Sequence, residues 1–128
     1  MSYHFSKTLD VPFVQAIPRV IEALKGEGFG VLTDIDVAAT IKAKLGADFR
    51  PYRILGACNP QLAHRALQLE DKIGTMLPCN VIVQQHENGD VEVSAVDPAA
   101  SMQAVDNSGL AEVAQDVRDR LKRVVDSL

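Results

Sequence analysis

The segment Val81-Ile82-Val83-Gln84-Gln85-His86-Glu87-Asn88-Gly89-Asp90-Val91-Glu92-Val93-Ser94-Ala95-Val96 contains two strand-forming runs around a short polar turn. Valine and isoleucine recur in both runs, as in strands that pack against a core. Asn88-Gly89 predicts a tight hairpin in which both residues take positive φ. A hairpin late in a chain that otherwise alternates strands and helices favours an α+β fold over a doubly wound parallel fold.

Strands and helices alternate through the rest of the sequence. Apolar spacing predicts strands at 3–9, 29–36 and 52–57, and helices at 12–26, 37–45, 60–69 and 110–128. Pro18 interrupts the first helix, which either kinks there or begins near it. Residues 97–107 are expected to be irregular. The order β-α-β-α-β-α-β-β-α indicates a mixed sheet covered by helices, formed by a single domain at 1–128.

Composition limits the partners that the protein could have. The 128 residues are 47% hydrophobic and 23% charged, with a formal net charge of -4. A net negative charge does not attract the phosphate backbone of a nucleic acid, so we expect no nucleic-acid partner. The nearest basic patch comprises Lys42, Lys44, Arg50 and Arg53, which is more typical of a solvated face.

The sequence contains no signal peptide and no apolar run of membrane-spanning length, so we expect a cytoplasmic protein with no membrane partner. Two cysteines are too few for a disulfide framework, which favours reduced thiols. No glycine-rich fingerprint follows the first strand and no Walker-type loop is present. Nucleotide binding through either motif is therefore not expected.

Cys58-Asn59-Pro60 is the first candidate site. Cys58 ends a predicted strand directly before a helix, for which Asn59 is the expected N-cap and Pro60 the first residue. Unpaired N–H groups at a helix N-terminus stabilise a thiolate, and ligands of α/β sheets bind where strands lead into helices. The alternative is a small buried side chain beside a good cap.

Pro78-Cys79-Asn80 is the second candidate site, at the start of the predicted hairpin. If the two turns meet at one edge of the sheet, Cys58 and Cys79 approach each other. A reversible disulfide, a shared metal or a thiol nucleophile would then be possible. Zinc is disfavoured because two thiols need two further ligands. Two separate structural cysteines are the alternative.

His64 lies in the helix that follows Pro60, among apolar neighbours. An imidazole there could move a proton or ligate a non-covalently bound haem. The alternative is a histidine that only forms hydrogen bonds at a helix boundary.

Two further pairs of residues are secondary candidates. Asp34 and Asp36 share one face of a strand and could hold a divalent cation, or Asp36 could simply cap the following helix. Asp97 and Met102 belong to a loop that could cover a pocket, although the composition there indicates only a turn.

The candidate segments also carry a family resemblance. The runs Gly28–Thr33, Tyr52–Pro60 and Leu77–Val81, with Asp97-Pro98 and Met102, resemble the prokaryotic family catalogued as domain of unknown function 302. The resemblance implies a two-layer α+β sandwich of TATA-binding-protein-like shape and a homodimer, but no catalytic residues. The sequence departs from the family at Asp34, where glutamate is usual, and at Pro18.

Four functions fit these observations. The leading hypothesis is a dimeric module that binds or senses a small molecule or cofactor near Cys58, Asn59, His64, Cys79 and Asn80. The second is a redox or sulfur-transfer enzyme that uses one of the two thiols. The third is a haem protein with His64 as ligand, and the fourth is a purely structural dimer.

Overall fold

The computed structural model describes residues 2–128; residue 1 of the predicted domain 1–128 lies outside the described residues. Five strands and five helices follow each other along the chain. Their bounds are β1 (His4–Leu9), α1 (Phe13–Gly26), β2 (Gly30–Asp36), α2 (Val37–Leu45), β3 (Tyr52–Cys58), α3 (Pro60–Leu69), β4 (Cys79–Gln85), β5 (Val91–Val96), α4 (Pro98–Ser101) and α5 (Ser108–Asp126), with a 3₁₀ turn at Ile73–Met76.

The strands form one sheet in the order β1-β5-β4-β3-β2. The α+β class and the order of elements are confirmed, with the short helix α4 added in the stretch that was expected to be irregular. The sequence predicts a mixed sheet, but all four pairings are antiparallel. β1, β2 and β4 run in one direction and β3 and β5 in the other. Because β1 and β2, which α1 joins, lie at opposite edges with β4 in the centre, no two strands of the same direction are neighbours.

The hairpin between β4 and β5 turns differently from the two-residue turn predicted for Asn88-Gly89. The His86 amide donates a hydrogen bond to the Asp90 carbonyl at 2.8 Å, and residues 87–89 form a three-residue loop between them. Within this loop only Gly89 has positive φ, at 93°, and its amide donates to the His86 carbonyl at 2.9 Å. A three-residue loop places one residue in the left-handed region, and glycine fits that position without strain.

Helix α1 begins at Phe13 and runs through Pro18 to Gly26, so the start near Pro18 is not the one adopted. The missing N–H of Pro18 is tolerated because this residue lies in the second turn and is exposed, while Ala16, Ile17, Val20 and Leu24 face the core. The apolar stripe thus outweighs the local cost of the proline.

Helices α1 and α5 pack on one face of the sheet, and α3 packs against α5. Alternate sheet residues point into this layer, among them Leu55, Val81, Val83 and Val93, all fully buried. A second cluster of buried residues joins α3, the 3₁₀ turn and the start of α5. The opposite face of the sheet mixes polar side chains, such as Asn80 and Ser94, with half-buried apolar ones, such as Ile82. No helix within residues 2–128 is long and apolar enough to cross a membrane.

Candidate functional site

A cavity of about 330 Å³ lies where the two buried clusters meet, between the end of β3, the start of β4, α3 and α5. It is partly open to solvent. Its lining consists of Phe29, Leu32, Ala57, Cys58, Asn59, Leu62, Ala63, Ala66, Leu67, Gly74, Leu77, Pro78, Cys79, Pro98, Met102, Leu110, Val113, Ala114 and Val117. Within residues 2–128, no charged side chain and no histidine lines it, so a ligand there meets an almost wholly apolar wall.

Small side chains explain why this space is not filled. Ala57 on β3, Ala63 and Ala66 on α3, and Ala114 on α5 all line the cavity. Interiors normally pack without voids larger than a water molecule, and larger side chains at these positions would close this one. The rim is apolar as well, since Leu32 and Leu67 are 69% and 43% exposed.

Cys58 and Asn59 form the polar corner of the cavity. Cys58 is the last residue of β3 and is half-buried. Asn59 caps α3 as predicted: its Oδ1 accepts a hydrogen bond from the Leu62 amide at 3.3 Å, and Pro60 is the first helical residue. The strand therefore ends at the cavity because the chain must turn into α3 there.

Cys79 enters the same wall from the neighbouring strand, because β3 and β4 pair with Ala57 opposite Cys79. Both thiols are free, and Pro78 lies beside them on the lining. Burial, together with the nearby Cys58, raises the pKa of the Cys79 thiol to about 11. Cys79 is therefore a protonated, unreactive thiol at neutral pH, which disfavours it as a nucleophile.

Of the seven primary candidate residues, in the two cysteine segments and at His64, three do not line the cavity. Pro60 and His64 are exposed on α3, and Asn80 is exposed on the other face of the sheet. Alternation along β4 separates Asn80 from Cys79, since consecutive side chains of a strand point to opposite faces. His64 precedes Arg65 on the solvent side of α3, whereas Leu62 and Ala66 supply its buried face. A haem ligand at His64 would consequently not face this cavity.

The two carboxylates of β2, Asp34 and Asp36, form hydrogen bonds with different partners. Asp34 forms a two-point ion pair with Arg53, whose Nε donates to Oδ1 at 2.7 Å and whose Nη2 donates to Oδ2. This hydrogen bonding holds the pKa of Asp34 below its ordinary value. Asp36 caps α2 by accepting from the Ala39 amide at 3.0 Å. Within the described residues, no group of three or more His, Cys, Asp or Glu side chains could hold a metal ion.

Asp97 and Met102 flank the short helix α4 beside the cavity. Asp97 is buried, accepts from the Ala99 and Ala100 amides at 3.0 and 3.4 Å, and receives the Arg118 Nε at 3.3 Å. These bonds hold α4, whose first residue Pro98 lines the cavity together with Met102. Asp97 thus positions the lining without belonging to it.

Sequence reasoning missed most of the apolar wall. The sequence pattern of α5 indicates only an ordinary buried stripe at Leu110, Val113 and Val117. Nothing in that pattern distinguishes a helical residue that faces a cavity from one that faces a filled core. The signal that could have indicated the cavity is the recurrence of alanine at Ala63, Ala66 and Ala114, on two helices that face each other.

A model of the family described as domain of unknown function DUF302 matches residues 5–128. The chain belongs to this family. A crystal structure of an uncharacterized conserved DUF302 protein from Bacillus stearothermophilus is similar at 35% identity over 98% of each chain, with a TM-score of 0.91. No curated protein matches the sequence. The resemblance based on the segments around Cys58 and Cys79 is thereby confirmed, and so is the α+β architecture of this DUF302 domain.

Proposed function

We propose that the protein binds a small, uncharged and mainly apolar molecule in the cavity between α3, α5 and the Cys58–Asn59 corner. The observation that carries this proposal is the cavity itself: about 330 Å³, with a nearly continuous apolar wall. Small-molecule sites have volumes of roughly 300–1,000 Å³ and few polar groups. Each methylene that leaves water for such a wall contributes about 0.8 kcal/mol.

The wall also restricts the chemistry of the ligand. A carboxylate or an ammonium group inside it would lose its hydration without gaining an opposite charge, which is costly. Among the described residues that line the cavity, Asn59 is the only one with a side-chain amide, and it sits at one corner. These features support an aliphatic or aromatic body with one neutral polar group.

A fluorescence titration with N-phenyl-1-naphthylamine, a neutral apolar probe, tests the proposal. Ala63 lines the cavity and is half-buried, so Ala63→Phe should occupy the space and weaken probe binding about tenfold or more. Ala47→Phe is the matched control, since Ala47 lies exposed after the end of α2 and does not line the cavity. Equal binding by both variants, or no binding by the unmodified protein, would refute the proposal.

A homodimer is the second part of the proposal, and an unpartnered surface favours it. Edge strand β2 exposes Leu32 and Ile35 by 69% and 47%, and α2 contributes no buried residue. An open strand edge pairs readily with another strand, and two copies of β2 could meet in antiparallel register. Sedimentation equilibrium should give twice the chain mass, and Ile35→Lys should return the monomer. A monomer before any substitution would contradict this part.

A further inference from the structure

A second cavity lies beside the first, between α4, the segment that follows α4 and the first half of α5. Its volume is about 250 Å³, and it is partly open to solvent. Of the residues that the structure describes, three line both cavities: Met102, Leu110 and Ala114. The two spaces are therefore neighbours that share a wall, and single residues separate them.

Met102 is the part of this shared wall that is able to move. A methionine side chain is unbranched and has three rotatable bonds, so it adapts its shape more readily than other apolar side chains. Met102 directly follows the four-residue helix α4 and is 9% exposed. Leu110 is held within helix α5 and is 2% exposed, so close packing fixes its position. Ala114 carries only a methyl group, so the closure of the wall above it depends on Met102.

We propose that the ligand carries an unbranched alkyl chain and that Met102 sets the length of chain that the protein accepts. The inference rests on the proposed binding function and names the ligand class and the residue that determines specificity. A chain that extends through the first cavity ends against Met102, where a further methylene gains no apolar contact. Once this side chain is removed, the chain can pass over Ala114 into the second cavity, whose apolar lining includes Ala99, Val105 and Ala111.

The shape of the passage favours a straight chain over a ring. Leu110 and Ala114 bound it on the side of α5, and both are buried in the second hydrophobic cluster. An unbranched chain needs only the width of one methylene, whereas a ring would have to displace packed side chains, which costs free energy. The second cavity also has the exposed side chains of Gln103 and Gln115 in its lining, so a methylene there should contribute less than one in the first cavity.

The experiment measures how straight 1-alkanols, from 1-butanol to 1-dodecanol, displace N-phenyl-1-naphthylamine. In the unmodified protein the affinity should rise about fourfold with each methylene until the chain reaches Met102, and then level off. In Met102→Ala the rise should continue beyond that length, by about twofold or more for each further methylene. Levelling at the same length in both proteins, or no levelling in the unmodified protein, would overturn the inference.

Cyclododecanol tests the preference for a straight chain, because it has as many carbon atoms as 1-dodecanol. Met102→Ala should increase the affinity for 1-dodecanol at least about tenfold more than the affinity for cyclododecanol. An equal increase for the two alcohols would contradict the assignment of an unbranched chain.

Two further variants separate the shared wall from the size of the first cavity. Val113 is buried and lines the first cavity but not the second, so Val113→Ala enlarges the first cavity without joining the two. It should move the levelling by about two methylenes at most, which is the volume it removes. Ala111 is exposed and lines the second cavity but not the first, so Ala111→Leu, added to Met102→Ala, should restore the levelling. A continued rise in this double variant would contradict passage into the second cavity.

Met102→Val provides a second test, because Met102→Ala removes buried atoms and can destabilise the fold. Valine keeps an apolar side chain but is shorter, so the levelling should move to longer alkanols in this variant as well. Circular dichroism should show that the variant is folded. An unchanged levelling length in folded Met102→Val would count against the role of Met102.

These measurements distinguish the inference from the proposed function. Binding of N-phenyl-1-naphthylamine and of short alkanols, with a chain-length limit that Met102 does not affect, overturns the inference and leaves apolar binding intact. Failure of the probe and of every alkanol to bind the unmodified protein overturns the two together.

Discussion

The side-chain amide of Asn59 lies against Gly28, so that a Cβ added at Gly28 would be 2.9 Å from Asn59 Nδ2. Gly28 has φ of +85° and forms the turn between α1 and β2. Gly28, in the turn before β2, has no side chain, and this leaves room for Asn59, which caps α3 at the end of the neighbouring strand β3. The cavity corner depends on both segments.

Gly28→Ala should lower the free energy of unfolding by about 2 kcal/mol or more, since a side chain is strained at positive φ and would also press on Asn59. Urea unfolding measures this change. Gly26→Ala is the matched control: nothing lies within 4 Å of its added Cβ, and it ends helix α1. The control should leave stability unchanged or raise it by up to about 1 kcal/mol. Similar losses in both variants would contradict the packing described.

Asp97→Ala should destabilise the protein more than Asp97→Asn does, by about 1–2 kcal/mol in urea unfolding. Asparagine keeps the oxygen that accepts from the Ala99 and Ala100 amides, while alanine leaves those amides unpaired. Asparagine loses the charge and the second acceptor oxygen, and with it the hydrogen bond from Arg118 Nε. We also expect Asp97→Ala to weaken binding of N-phenyl-1-naphthylamine, because α4 holds part of the cavity wall. Equal stability of the two variants would show that the cap is dispensable.

Asp34 should contribute a pH-dependent part of the stability. Its folded pKa is lowered, chiefly by the hydrogen bonds from Arg53, so the contribution is present above the unfolded pKa near 3.8 and is lost as pH falls through the folded pKa. At neutral pH it should amount to about 1 kcal/mol or less, since the two side chains are 36% and 29% exposed. The difference in unfolding free energy between the unmodified protein and Asp34→Asn should stay constant above about pH 5 and shrink below it. A difference that is constant down to pH 2 would contradict the assignment.

One thiol per chain should react with 5,5′-dithiobis(2-nitrobenzoate) at pH 8 in the folded protein, and the second only in urea. Burial raises the pKa of Cys79 to about 11, so this thiol is protonated and enclosed, while Cys58 is partly accessible. Cys58→Ser should abolish the fast reaction. Two fast thiols would show that Cys79 is exposed.

Local sequence patterns predicted a helix, a strand or a cap correctly where the residues that determine it all lie in the same segment. The Asn59 cap with Pro60 after it, and the apolar stripe from Leu110 to Leu128, depend on neighbours within a turn or two. The arrangement of the strands was harder. Each segment reads as a strand or a helix by itself, but which strands become neighbours depends on contacts between distant residues.

The sequence alone determined the family and the α+β class, and it singled out the segments around Cys58 and Cys79 as candidates. Only the tertiary structure decided that the sheet is antiparallel throughout, that Asn80 and His64 point away from the cavity, and that Met102 joins its wall. The physical reason is that a residue type and its spacing fix local geometry. A cavity instead arises from small side chains on separate elements, such as Ala57, Ala66 and Ala114, that meet only after the chain has folded.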